Sequence, residues 1–139
     1  MPVRMIVGAF ILNSGMSKLK GGDEAAEQTH ATAKTAYPFL ESRNPREFTR
    51  MLGTTEVALG TALLLPLVPS VVAGAALTAF SSGLVGLYLR IPGMREPGDL
   101  RPTQQGIGLA KDSWLVGIGT SLVLEEIGRA RAERCARRR

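Results

Sequence analysis

The chain has 139 residues, 17 basic against 12 acidic groups for a formal charge of +5, 45% hydrophobic residues and only 5% aromatic ones. That length allows one domain, and a chain this apolar can bury enough surface to exclude disorder. Sparse, scattered aromatics speak against a nucleic-acid surface despite the basic balance.

The distribution of charge tells more than its sum. From Val57 to Leu89 run 33 residues without Asp, Glu, Lys, Arg or His, more than one membrane span of about 20 residues requires. Taken in chain order, the first apolar segment is Met5 to Ser17, 13 uncharged residues between Arg4 and Lys18. It predicts a first helix over about 2–19. Arg4 ahead of a short apolar core also suits a secretory signal, but Gly15-Met16-Ser17 is a poor small-x-small cleavage site, so a retained helix is expected.

A long connection follows. Asp23 can cap a short helix through Ala36, with Ala26, Ala33, Tyr37 and Leu40 at roughly helical spacing. This is expected to be a short amphipathic interfacial helix anchored by Tyr37, Phe39 and Phe48, with a solvated loop helix as the alternative. Asn44-Pro45-Arg46-Glu47 is a helix start, with Asn44 as N-cap and Pro45 in the first turn, and predicts a second long helix over about 45–65. Pro66 and Pro69 interrupt the uncharged run, because proline cannot continue the hydrogen-bond ladder. They divide it into a hairpin whose second arm runs over about 70–90 with Ser70 as N-cap. A soluble helical hairpin is the alternative, disfavoured because both arms are apolar all round.

Pro92-Gly93, Pro97-Gly98 and Pro102 predict a turn-rich third connection. Ser113 to Leu124 then gives 12 uncharged residues within a last helix over about 103–127. Residues 128–139 form a basic tail with Arg129, Arg131, Arg134, Arg137, Arg138 and Arg139. Such a cluster beside a membrane normally stays cytoplasmic and holds anionic lipid headgroups.

The expected fold is therefore all-α: a single-domain integral membrane four-helix bundle, up-down-up-down, with both termini on one side. Both termini are expected in the cytoplasm on the strength of the tail. A plain count opposes this, since Arg4 and six tail arginines lie on that side and ten basic residues on the other.

In this topology Lys18, Glu56, Arg90, Lys111 and Asp112 fall in one half of the bundle and are expected to form an intramembrane polar cluster. With Met51 as the start of the apolar part of its helix, Glu56 lies about 8 Å inside, where a carboxylate needs a proton or a cation. Gly53 and Gly60 share its face, Gly108 and Gly119 share that of Asp112, and Gly15 accompanies Lys18; all five are expected to pack helices closely. Fully ionised, the cluster carries one net positive charge. It is expected either to bind a quinone headgroup, a small anion or a relayed proton, or to hold the helices in register. A single Cys, Cys135, and a single His, His30, leave no Cys-x-x-Cys motif and no paired-histidine haem or zinc site. No catalytic residues, metal or cofactor of its own are expected.

Three segments carry a family likeness: Arg4-Met5-Ile6-Val7-Gly8-Ala9-Phe10 with Gly15-Met16-Ser17-Lys18-Leu19, then Glu56-Val57-Ala58-Leu59-Gly60, then Lys111-Asp112-Ser113-Trp114-Leu115-Val116-Gly117. Together they resemble the DoxX-like family of small bacterial four-helix membrane proteins, over most of the chain. Lys-Asp-x-Trp-Leu-x-Gly is the most specific part, and the longer first connection and arginine tail depart from the family's pattern. The resemblance implies a multi-pass protein of the bacterial inner membrane that acts as an accessory or scaffolding subunit with other membrane proteins. It also implies, as an alternative, a quinone- or anion-binding component of a thiosulfate:quinone oxidoreductase-like or oxidative-stress system.

Overall fold

A computed structural model describes residues 2–138, so Met1 and Arg139, the last tail arginine, lie outside it. The chain is all-helical, and the described residues include no strand. Its elements are α1 (Pro2–Lys20), α2 (Asp23–Ala36), a 3-10 turn (Pro38–Leu40), α3 (Pro45–Leu64), α4 (Ser70–Arg90), the single turn α5 (Ile107–Ala110) and α6 (Asp112–Arg137).

Two antiparallel pairs organise the fold. In α1, the residues Arg4, Val7, Gly8, Ile11 and Gly15 are buried, and in α3 Thr49, Gly53, Glu56, Leu59, Gly60 and Leu63. Both sets repeat every three or four residues, so each is one helix face. Gly8 meets Gly60, and Gly15 meets Gly53, so close that a Cβ on Gly15 would stand 2.7 Å from the Gly53 carbonyl oxygen. In the second pair, a Cβ on Gly74 of α4 would stand 2.7 Å from the carbonyl oxygen of Gly119 in α6. Val7, Ile11, Leu59, Leu63, Ala73, Leu77 and Leu122 join the two pairs into one apolar core.

Starts and stops follow local chemistry. The Asn44 side chain accepts from the Arg46 amide at 2.9 Å, with Pro45 in the first turn, as its sequence signal requires. Ser70, expected as an N-cap, does not cap α4; Pro69 holds that position and the Ser70 hydroxyl instead accepts from Arg4. The third connection is a compact double turn in which Gly93 and Gly98 take φ of +86° and +78°, a region other residues avoid. Tyr88 Oη donates to Leu100 O at 2.6 Å and fastens this loop to α4.

The last helix departs from expectation at both ends. It breaks at Lys111 between α5 and α6, and it continues through Arg137 rather than ending near residue 127. Ala and Arg are strong helix formers, an i,i+4 Glu125–Arg129 pair supports the exposed face, and basic residues suit the C-terminal end of the dipole. The basic tail is therefore a helical extension.

Within the described residues, Ser70–Arg90 and the α5–α6 stretch Ile107–Arg137 are long and apolar enough to cross a membrane.

Candidate functional site

A cavity of about 530 Å³ lies in the half of the molecule where α1 ends and α6 begins, and every helix contributes to its wall. Its charged lining residues are Lys18, Glu56 and Asp112. Lys18 Nζ lies 2.9 Å from Glu56 Oε2 and donates also to Ser14 Oγ at 2.8 Å. Glu56 is 4% exposed. The seam explains this placement: Gly15 and Gly53 bring α1 and α3 together one turn from the pair, so the lysine reaches the carboxylate without crossing open space. Asp112 faces the same cavity from the first turn of α6 and makes no ion pair with any described residue.

Arg90 and Lys111 are corrections to the expected cluster. Arg90 is exposed, lies 4.9 Å over the Tyr37 ring, and donates weakly to Ala36 O at 3.5 Å. Lys111 is exposed at the break between α5 and α6 and lines no part of the cavity. Both sit one or two residues from an inward position, which on a helix turns a side chain by about 100–200°. Without them two carboxylates face one ammonium, so the ionised set carries a negative charge instead of a positive one.

Among the expected packing glycines, Gly15, Gly53, Gly60 and Gly119 all stand against a neighbouring backbone. Gly108 does not, since a Cβ there would meet open space. Gly8 and Gly74 belong to the seams and were not singled out by the sequence.

The α2 segment closes one side of the cavity. Ala26, His30, Ala33 and Ala36 form its buried stripe, and Thr49 Oγ1 donates to Ala26 O at 3.3 Å. His30 Nε2 lies 2.7 Å from Leu40 O, and its ring meets Phe48 edge-on. Tyr37, expected as a headgroup anchor, reaches across to α4, where its hydroxyl donates to Gly83 O at 2.9 Å. Phe48 likewise turns inward to the cavity, whereas Phe39 is exposed. At the start of α2 the Arg46 guanidinium hydrogen-bonds the Asp23 carboxylate and holds it below the usual carboxylate range. Asp23 is thus a tether to α3 rather than a cap.

The most consequential polar residue is one that the sequence placed at a helix end. Arg4 is 3% exposed and carries no carboxylate partner. Its Nε donates to Leu63 O at 3.1 Å, Nη1 to Val68 O at 3.1 Å and Ser70 Oγ at 3.0 Å, and Nη2 to Ala62 O at 3.0 Å and Leu65 O at 3.1 Å. The last carbonyls of a helix have no partners of their own, and a guanidinium has five donors in a planar fork. Arg4 thereby ties α1 to the end of α3 and the start of α4. The repeat of Arg4 with Gly8, Ile11 and Gly15 was the signal that could have turned it inward.

Removing one member of the Lys18–Glu56 pair is expected to be worse than removing both. Lys18→Met leaves a buried carboxylate without its cation and should destabilise by about 2 kcal/mol, while Lys18→Met with Glu56→Met should recover most of that loss. Unfolding of the purified protein in detergent reads the difference; equal losses would mean that the two residues do not act as a pair.

No family model, curated protein or solved structure matches the chain.

Proposed function

We propose that this chain is a multi-pass integral membrane protein, a four-helix bundle of DoxX-like type in a bacterial inner membrane. It holds a small molecule beside Lys18, Glu56 and Asp112 and serves as an accessory subunit of a larger membrane assembly. The observation that carries this reading is the inverted placement of polar and apolar side chains. Arg4, Thr49, Glu56 and Ser81 are buried, while Ile6 is 70%, Phe10 63% and Trp114 72% exposed. Hydrocarbon reverses the preference that water imposes: apolar groups face outward at no loss, and ionisable ones turn to the interior and pair.

Helix lengths suit the same setting. The four long helices have 19, 20, 21 and 26 residues, and at 1.5 Å per residue even the shortest spans about 28 Å, close to the thickness of a hydrocarbon core. Part of the lower hydropathy of α1 and α3 comes from Arg4, Lys18 and Glu56, which face inward, and the rest from Lys20, Arg46, Glu47 and Arg50, which are exposed near the helix ends. The exposed arginines of α6, from Arg129 to Arg137, suit contact with anionic headgroups. A cavity of this size falls in the small-molecule range. Its leucine and phenylalanine walls suit a quinone ring as the alternative occupant, whereas its net charge disfavours a small anion.

The reading predicts that alkaline carbonate leaves the protein in the membrane and that detergent alone releases it. Release by carbonate would sink the membrane assignment. Orientation has its own reporter, because the sole cysteine, Cys135, is exposed on the α6 extension. With both termini cytoplasmic, a membrane-impermeant maleimide should label Cys135 in intact spheroplasts only after permeabilisation. Labelling before permeabilisation would reverse the topology, in line with the ten basic residues on the opposite side.

A further inference from the structure

We infer that the cavity binds an organic monocation with an apolar body, held by the Asp112 carboxylate and by aromatic faces. This rests on the reading of the cavity as a small-molecule site and adds the charge and shape of what occupies it. Lys18 and Glu56 neutralise each other at 2.9 Å. Asp112 is then the remaining charge on the wall, with no ion pair among the described residues. A carboxylate in an apolar chamber favours either its own proton or a cation brought to it.

The wall supplies a second and independent signal. The chain has only seven aromatic residues, and four of them, Phe10, Tyr37, Phe48 and Phe80, line this one cavity. They come from α1, the end of α2, α3 and α4, so four separate elements each bring a ring to the space. Aromatic faces attract cations, most strongly those too poorly hydrated to lose much on leaving water. Arg90, which does not line the cavity, already makes such a contact with the Tyr37 ring. The remaining lining is dominated by leucine, with Leu52, Leu84, Leu87 and Leu115 among it, which suits the hydrocarbon part of such a ligand. Phe10 lines the cavity and is 63% exposed, so the cavity is open beside α1.

Two probes of equal shape and opposite charge test the inference. The full chain, purified in dodecyl maltoside, is dialysed against radiolabelled tetraphenylphosphonium and, separately, tetraphenylborate. Tetraphenylphosphonium should bind saturably, one per chain, and tetraphenylborate should not. Asp112→Asn should weaken the cation by roughly tenfold or more, and Asp112→Glu should restore it. Phe48→Leu should weaken it roughly threefold, and Arg134→Gln, on the exposed α6 extension far from the cavity lining, should leave it unchanged. Saturable binding of tetraphenylborate, or of a neutral short-chain quinone with no response to Asp112→Asn, would overturn the cation assignment and leave the cavity a binding site. Absence of saturable binding by cation, anion and quinone alike would overturn the ligand-holding role itself. The comparison of the two probes on the unaltered chain needs no variant to fold.

Discussion

Arg4→Ala is expected to destabilise the protein by about 4 kcal/mol, more than any other single truncation of a polar side chain. Five hydrogen bonds are lost at once. The larger part of the effect comes from what is left behind. The carbonyls of Ala62, Leu63 and Val68 lie where α3 ends and turns, and in a water-poor interior an orphaned carbonyl has nothing to replace its donor, whereas Leu65 O keeps the Val68 amide. The substitution also leaves a hole where the α1 side chain filled the turn between α3 and α4. Arg4→Lys should recover less than half of the stability, because an ammonium offers three donors from one point and cannot reach all five acceptors. Arg4→Gln, uncharged and shorter, should fall near Ala. The melting temperature in detergent reads the series, with an expected drop of about 10 °C or more for Arg4→Ala. A drop within a degree or two would show that the α3–α4 turn holds itself and that Arg4 merely rests upon it.

The helices of this chain were legible because their boundaries are local. Asn44-Pro45, Pro66 with Pro69, and the Pro-Gly pairs of the third connection act on the backbone within a few residues, and α3 and α4 begin and end close to where these signals place them. Glu56 was legible for a related reason, since Gly53 and Gly60 announce its face as a packed one. Arg90, Lys111 and Arg4 were not, because each lies at the end of an apolar segment, where sequence reveals depth but not direction. Arg90 is two residues beyond the buried Tyr88, about 200° around the helix, and so faces outward. Arg4 shares its face with Gly8, Ile11 and Gly15, but the acceptors that hold it are the carbonyls at the end of a helix that begins some 40 residues later, and these only the tertiary structure supplies. The α6 extension was missed because a run of arginines reads as a solvated tail, although arginine and alanine favour helix wherever a helix already exists to be prolonged.

The second large effect is expected at Gly60, and its counterpart at Gly108 should have the opposite sign. A Cβ on Gly60 would stand 2.6 Å from the Leu12 nitrogen and 2.8 Å from the Gly8 carbonyl oxygen. Both are backbone atoms, so no side-chain rotation can relieve the contact and α1 must move away from α3. Gly60→Ala should therefore destabilise by about 2–3 kcal/mol, and Gly60→Leu should separate the pair altogether. Separation has a local readout: Lys18 and Glu56 lie on the same seam and will no longer meet, so Gly60→Ala should also erase the difference between Lys18→Met and the Lys18→Met, Glu56→Met double variant. Gly108 meets nothing within 4 Å, and alanine favours helix over glycine by about 1 kcal/mol. Gly108→Ala should thus leave the melting temperature unchanged or raise it. Intrinsic helix propensity favours alanine at both sites, so only the approach of the neighbouring helix can make the two substitutions differ in sign. If both substitutions stabilise, α1 and α3 do not touch at Gly60, and the geometry that brings Lys18 to Glu56 fails with it.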